Sequence, residues 1–446
     1  MLMSKRHLPL LCAAMLSAHA LADTPSQSED WNLKGQTTYI WQKKPSFNAA
    51  YSGDNSLQPQ SEKSYSFSAT LFAGWRLARD TELYLNPELV QGVPMSNLTG
   101  LGGLGNGELQ KTSGAHPKLY RARLFLRQSW ALGDEREQVE SDANQLAGTR
   151  AKDRVVLTAG NLAVSDIFDA NSYAHDARSQ FMNWALLTHG AYDFAADTRG
   201  YSIGAALEYI RGDWALRAGR FELPKQPNQQ QLDTRLFSHH GDQIELERGY
   251  TVDQRTGKVR ALWFRNTAEM GRFDEALSLA AQSAQPLSSA NTANVRRRQY
   301  KEGWGLAWEQ ALTDNVGAFA RLARSDGQTE VYAFSEIDQS LSVGTQIQGK
   351  AWGREADTLG VALARNGLST IHQRYLAAGA DGFFVGDGGL NYQPERIIEA
   401  FYSLGLPDGW TRHSTISLDV QHIDNPAYNR DRGPVNMFAI RLHTEL

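Results

Sequence analysis

From Trp31 onward the chain alternates apolar and polar residues with a period of two, in stretches separated by clusters of Gly, Asn, Asp and Pro. Trp31, Leu33, Thr37, Tyr39 and Trp41 share one parity, and Asn32, Lys34, Gln36, Thr38 and Gln42 the other. The next stretch sets Tyr65, Phe67, Ala69, Leu71, Ala73 and Trp75 against Ser64, Ser66, Ser68 and Thr70. Successive side chains of a strand point to opposite sides, so each stretch reads as a β-strand with one oily and one wet face. The same reading marks strands at 81–91, 118–130, 154–160, 201–210, 214–221, 241–250, 258–267, 301–311, 315–324, 329–348, 357–366, 395–405, 413–423 and 434–446. That makes about sixteen, with 329–348 long enough to be two.

The final stretch decides where the oily faces go. Phe438, Ile440, Leu442 and Leu446 fall on one side, and Arg441, His443 and Glu445 on the other. The packed interior of a soluble barrel does not tolerate that charged set; an edge strand facing solvent would, but the pattern repeats around the whole chain. If the apolar parity contacts lipid, the charged parity faces a wet lumen. The expected fold is therefore all-β, a single transmembrane antiparallel β-barrel. Aromatics at both ends of the apolar stripes predict two interfacial girdles. The long connections at 92–117, 161–200 and 268–299 are awkward in a compact soluble domain. A transmembrane barrel accommodates them as long extracellular loops alternating with short periplasmic turns, one loop folding into the channel.

Composition agrees. A mean hydropathy of −0.46 excludes a bundle of membrane helices, whereas a barrel needs only alternate residues to face lipid. Lys5 and Arg6, the apolar run Leu8 to Leu16, and Ala20-Leu21-Ala22 before Asp23 form a secretory signal pattern, with cleavage expected after Ala22. The expected division is a leader at 1–22 and one barrel at 23–446. Cys12 is the only cysteine and lies in the leader, with Leu11 before it where a lipoprotein signal carries a small residue. Disulfides and lipid attachment are therefore not expected. Losing Lys5 and Arg6 moves the formal net charge from −4 to −6, which disfavours a nucleic-acid partner.

Parity also nominates lumenal residues. On 118–130, Tyr120, Ala122, Leu124, Leu126, Gln128 and Trp130 share one face, and Arg121, Arg123 and Arg127 the other. If the first set meets lipid, three guanidiniums rise as a ladder into the lumen. On 394–406, Ile398, Ala400, Tyr402, Leu404 and Leu406 form the lipid stripe, leaving Ile397, Glu399, Phe401 and Ser403 inward. His413, Asp419 and Gln421 point inward on the next strand, and Arg441 on the last.

Two long segments carry a family resemblance. One runs Gly382-Phe383-Phe384-Val385-Gly386-Asp387-Gly388-Gly389-Leu390-Asn391-Tyr392-Gln393-Pro394-Glu395 and continues at Glu399-Ala400-Phe401-Tyr402-Ser403; the other runs Asp419 to Val435. Upstream, Tyr120 to Gln128, Glu140 to Gly148 and Leu157 to Asn161 are similar to the same pattern. These segments resemble the carbohydrate-selective, OprB-like porins, and the resemblance covers essentially the whole mature chain. It implies a sixteen-stranded outer-membrane barrel passing monosaccharides and related small sugars. The final Leu446 departs from the Phe with which such barrels usually end.

A neutral, hydrated sugar needs partners that replace water without holding it tightly. Arg121, Arg123, Arg127, Glu399, Asp419, Gln421 and Arg441 are the candidate pore-lining contacts, with Glu395 a further carboxylate. The alternative for the arginines is pairing with carboxylates on neighbouring strands, and for the others a solvated wall without specific contact. Inward Phe125 and Phe401 either stack on a sugar ring or fill space beneath an inward loop. A general or anion-selective pore is the rival function.

Other motifs point elsewhere only weakly. Gly200-Tyr201-Ser202-Ile203-Gly204 matches the hydrolase nucleophile elbow, but the strand-like pattern continues where that motif needs a helix. Gly102 to Gly107 lacks a phosphate-loop lysine. The histidines show no metal spacing, and the neighbours His239 and His240 cannot face one side of a strand. Asp424 and Asp431 lie in a turn that suits calcium less well than ordinary capping. The expectation is no enzyme activity, no cofactor and no metal. The partners expected are small carbohydrates, outer-membrane lipid and lipopolysaccharide, with the barrel a monomer or homotrimer.

Overall fold

The computed structural model describes residues 28–111, 114–334, 336–407 and 412–446. The leader expected at 1–22 lies outside the described residues. The alternating stretches form β1 (Trp31–Lys44), β2 (Glu62–Ala78), β3 (Thr81–Val93) and β4 (Gly114–Ala131), then a short hairpin of β5 (Arg136–Val139) and β6 (Gly148–Ala151). There follow β7 (Arg154–Leu162), α1 (Trp184–Leu187), β8 (Ser202–Arg211), β9 (Trp214–Glu222), β10 (His240–Val252), β11 (Arg255–Met270), α2 (Phe273–Gln282) and β12 (Arg297–Ala311). The chain continues through β13 (Val316–Ser325), β14 (Gln339–Gln348), β15 (Thr358–Gly367), α3 (Thr370–Ala377), β16 (Glu395–Gly405), β17 (Arg412–Asp424) and β18 (Val435–Glu445).

All strands except β5 and β6 join one closed barrel in which each pairs with its neighbour in sequence. Pairing of β1 with both β2 and β18, as in Tyr39 opposite Phe67 and Trp41 opposite Ile440, closes the ring. Closure leaves no strand edge unpaired in the wall, the condition for crossing hydrocarbon with strands. The apolar parity points outward: Leu71, Leu207, Leu216, Ile244, Leu341, Ile398, Leu418 and Ile440 are all exposed. Trp31, Trp75, Trp130 and Trp214 ring the end with short turns, while Tyr65 and Tyr300 lie towards the other.

Turns at 79–80, 212–213 and 253–254 are as short as expected. Asp253 and Gln254 both take positive φ, 48° and 64°, the left-handed pair that matches strand twist in a two-residue hairpin. The region 329–348 is one strand from Gln339, preceded by a loop. The connection 132–153, at the short-turn end, departs from expectation: it carries the β5–β6 hairpin.

The lumen is filled mainly by the long connection 163–201. Its Val164, Phe168, Tyr192 and Phe194 join wall residues Tyr84, Phe125, Phe221 and Phe264 in one buried cluster. Burying each large side chain is worth roughly 1.5–3 kcal/mol, enough to hold a loop inside a wet barrel.

Candidate pore and constriction

Backbone amides of an inward loop lose water and must be satisfied by the wall. Arg321 on β13 donates to Asp169 Oδ1 (2.9 Å), Leu186 O (2.8 Å) and Ala174 O (2.7 Å). Glu309 on β12 accepts from Ser172 N and Oγ, at 3.1 and 3.0 Å. On the far side of the barrel, Glu399 accepts from Met182 N and Asn183 N at 2.5 and 2.9 Å. Gln421 accepts from Asn183 Nδ2 (3.1 Å) and donates to Gly105 O (2.8 Å). Arg441 donates to Ala177 O and Gln180 O at 2.8 and 2.6 Å. The loop thus leaves β7, crosses the lumen to β16–β18 and returns to β8, forming a constriction.

Where that loop passes β3 and β4, charges interlock. Arg178 donates to Glu108 Oε2 (3.0 Å) and Glu88 Oε2 (2.8 Å), and Lys111 pairs with Glu108 at 3.2 Å. Glu88 also accepts from Thr70 Oγ1 at 2.7 Å, from Tyr201 at 3.2 Å and from Tyr120. Arg123 grips Asp166 with two parallel bonds, 2.7 and 2.6 Å, and lies over the Tyr201 ring.

Below this layer opens a cavity of about 1340 Å³, bounded by Asp166 and His175 of the loop, Phe125 and Arg127 of β4, and Glu208, Arg217 and Glu247 across the barrel. Arg127 lies over the stacked Tyr84 and Phe125 rings and donates to Asn144 O at 3.0 Å. Arg217 bridges Glu208 (2.9 Å), Glu245 (2.9 Å) and Glu247 (3.4 Å), and Arg260 bridges Glu247 (2.7 Å) and Glu309 (3.1 Å). The wall therefore offers hydroxyl partners of both kinds, held by one another, with carboxylates in modest excess over guanidinium and ammonium groups.

The structure redistributes the nominated residues. Arg123 and Arg127 face inward. Arg121 does not: opposite Pro87 the register slips, with Asn86 against Arg123 but Pro87 against Arg121, so Ala122 is an inserted, fully buried residue. Proline cannot donate to the ladder, and a bulge accommodates it in a barrel that has no edge strand. Beyond the bulge the parity inverts. Arg121 then joins exposed Leu119 outside, and Tyr120 turns inward to Glu88.

Glu399, Gln421 and Arg441 are inward but buried, tethering the loop. Asp419 lies beside them, 2 % exposed and across from Phe401's backbone. Glu395 similarly accepts from Gly102 N, Ala427 N and Asn366 Nδ2. Phe401 packs edge-on against Phe181 at 5.0 Å, filling space beneath the loop. His413 falls on a second bulge with φ of 53°. Ser202 opens β8 and donates to Glu222 O at 2.6 Å, with no helix following to form an elbow. Asp431 accepts from Tyr51 and Asn391 and so ties loops together, whereas Asp424 pairs with His422 of its own strand. No cluster suited to a metal ion occurs among the described residues.

Arg217, Arg260 and Arg321 were legible by parity, each a cation on the wet face of its strand. Arg178 and Asp166 sit on the inward loop, where no periodicity marks direction.

The sequence matches the family model described as carbohydrate-selective porin, OprB family, over residues 54–446. Among solved structures, the high-pH form of Pseudomonas putida OprB superposes with a TM-score of 0.69 at 14% identity, covering 94% of each chain. Acinetobacter baumannii OccAB1 superposes at 0.50 with 9% identity, covering 94% of this chain and 97% of its own. At such identities these neighbours speak for the fold. No curated protein matches the chain.

Proposed function

This chain belongs to the OprB family of carbohydrate-selective porins, and from that premise we propose that it passes glucose-class monosaccharides through the chamber beneath its inward loop. It is a sugar-selective channel of the outer membrane, in a family of porins rather than of enzymes. The observation that carries the finer reading is the chamber wall, where Arg127, Arg217, Asp166 and Glu247 border a space of about 1340 Å³. Donors and acceptors alternate there, as a polyhydroxylated solute requires. Arg123 backs Asp166 and orients it. Glu399, Asp419, Gln421 and Arg441 act indirectly, by setting where the loop narrows the pore. Pairing of the inward guanidiniums with carboxylates favours neutral sugars over anions, since little net positive field remains.

The decisive experiment is ion current through planar bilayers with added sugar. Glucose-class monosaccharides are expected to block partially and disaccharides more weakly; block by phosphate with none by any sugar overturns the reading.

The outer surface supports a lipid partner. Lys43 stands directly opposite Lys63, and Arg365 opposite Arg396, all four exposed near the long-loop ends of their strands. Like charges in register repel unless an anion lies between them. Lipopolysaccharide phosphates fit that position. Replacing Lys43 and Lys63 by Gln is expected to lower the lipopolysaccharide that copurifies with the barrel, and unchanged retention removes this contact.

A further inference from the structure

We propose that the connection 132–153 forms a second constriction, at the periplasmic exit, that limits the size of solute leaving the chamber. It rests on the reading that solute passes through that chamber. The other turns described at this end are far shorter, as at 79–80 and 212–213. This one folds inward, and its residues from Gly133 to Asp153 line the chamber opposite Glu208, Trp214, Arg217, Glu247 and Lys258. Anything leaving must pass between the hairpin and that wall.

The tip is built to stay there. Asp142 and Gln145 exchange backbone bonds at 3.0 and 3.1 Å, which closes a compact loop, and Asn144 takes a φ of 56° at its apex. Inward side chains of four strands then hold it. Asn32 donates to Gln145 O (2.9 Å) and Asn86 to Asn144 Oδ1 (2.9 Å). Arg76 donates to Ala147 O (3.1 Å) and Arg127 to Asn144 O (3.0 Å). Glu29 exchanges two bonds with Ala147, at 3.0 and 2.8 Å. Leu146 is 3 % exposed, in the cluster with Tyr84 and Phe125. A turn needed only to reverse the chain has no use for these anchors. Because Arg127 is four residues along β4 from Arg123, this narrowing lies roughly 13 Å from the first.

Two experiments test it. Replacing residues 132–153 by Asn-Gly joins β4 to β7, whose last paired residues are Ala131 and Arg154, through a tight turn. Correct folding is checked by heat-modifiable gel migration. The expected result is a single-channel conductance higher by roughly two-fold or more, with disaccharides entering liposome-swelling assays. Unchanged conductance and size limit overturn the proposal.

The second variant leaves the hairpin intact. Ala143→Cys, in a Cys12→Ser background, places a thiol on the exposed tip. A bulky charged methanethiosulfonate added from the periplasmic side is expected to cut the current by about half or more. Full labelling, verified by mass, with unaltered current shows that the tip stands outside the path. Adduct block requires no sugar, so it is read separately from sugar block of the unmodified channel.

Discussion

Arg123 and Asp166 meet through two parallel bonds at 2.7 and 2.6 Å, so the guanidinium presents almost no free charge to a passing ion. Removing the negative partner while keeping its shape releases that charge. Asp166→Asn is therefore expected to shift bilayer selectivity towards chloride over potassium by roughly two-fold or more, read from the reversal potential in a salt gradient. Arg121→Gln is expected to leave the same reading unchanged, because the bulge opposite Pro87 has put Arg121 on the outer surface. Equal effects from both substitutions would mean that the slip at Ala122 does not occur in the membrane. Strict alternation sends both arginines inward, and only the partner strand breaks it. A proline in β3 changes the facing of residues in β4, a relation that no reading of either stretch alone contains.

At the scale of elements, the wall strands were legible because each must satisfy lipid on one side and water on the other, and that requirement writes itself as a period of two. The inward loop 163–201 answers to no such repeat. Its direction is set by single tethers, and Arg321 is the most connected of them, 1 % exposed and bonded to Asp169, Leu186 and Ala174. Arg321→Met keeps the volume and removes every donor. Leaving Asp169 buried without its cation costs about 3–5 kcal/mol locally, while the strand ladder of β13 is untouched. The expected outcome is a folded barrel whose 163–201 segment becomes sensitive to limited proteolysis, with larger, noisier current steps. Protease resistance equal to that of the unmodified chain would show the remaining tethers to be sufficient. Glu399, Gln421 and Arg441 follow the same logic. Parity correctly turned them inward, but their partners are loop amides and carbonyls far away in sequence, which is why a contact role for sugar was the natural expectation.

For the molecule as a whole, the outer end carries loops that do not share the barrel's hydrogen-bond ladder, and so must be fastened by other means. α2 and α3 pack together through Phe273, Ala276, Tyr375 and Leu376. α3 is locked to the loop before β14 by His372, whose Nδ1 lies 2.9 Å from Asp338 and Nε2 3.5 Å from Glu336, with the Phe273 ring stacked on it at 4.2 Å. Burial by itself would depress the imidazole, but the two carboxylates overcome it and raise it from 6.5 to about 9. A raised histidine stabilises the fold fully below its unfolded value, near 6.5, and loses that contribution as pH climbs through the folded value. The fastening should thus be intact at neutral pH and weaken between about pH 7 and 9 by an amount on the order of 2–3 kcal/mol. Glu336 also accepts from Phe384 N and Val385 N, at 2.6 and 2.8 Å, so the loss spreads to the segment after α3. Amide exchange across 370–385 is expected to accelerate over that pH range beyond the intrinsic chemical rate, while exchange in the β15 and β16 ladders does not. In His372→Gln, which carries no titrating ring, the corrected exchange should be fast at every pH and flat. A pH-dependent acceleration that survives the substitution would assign the fastening to another group.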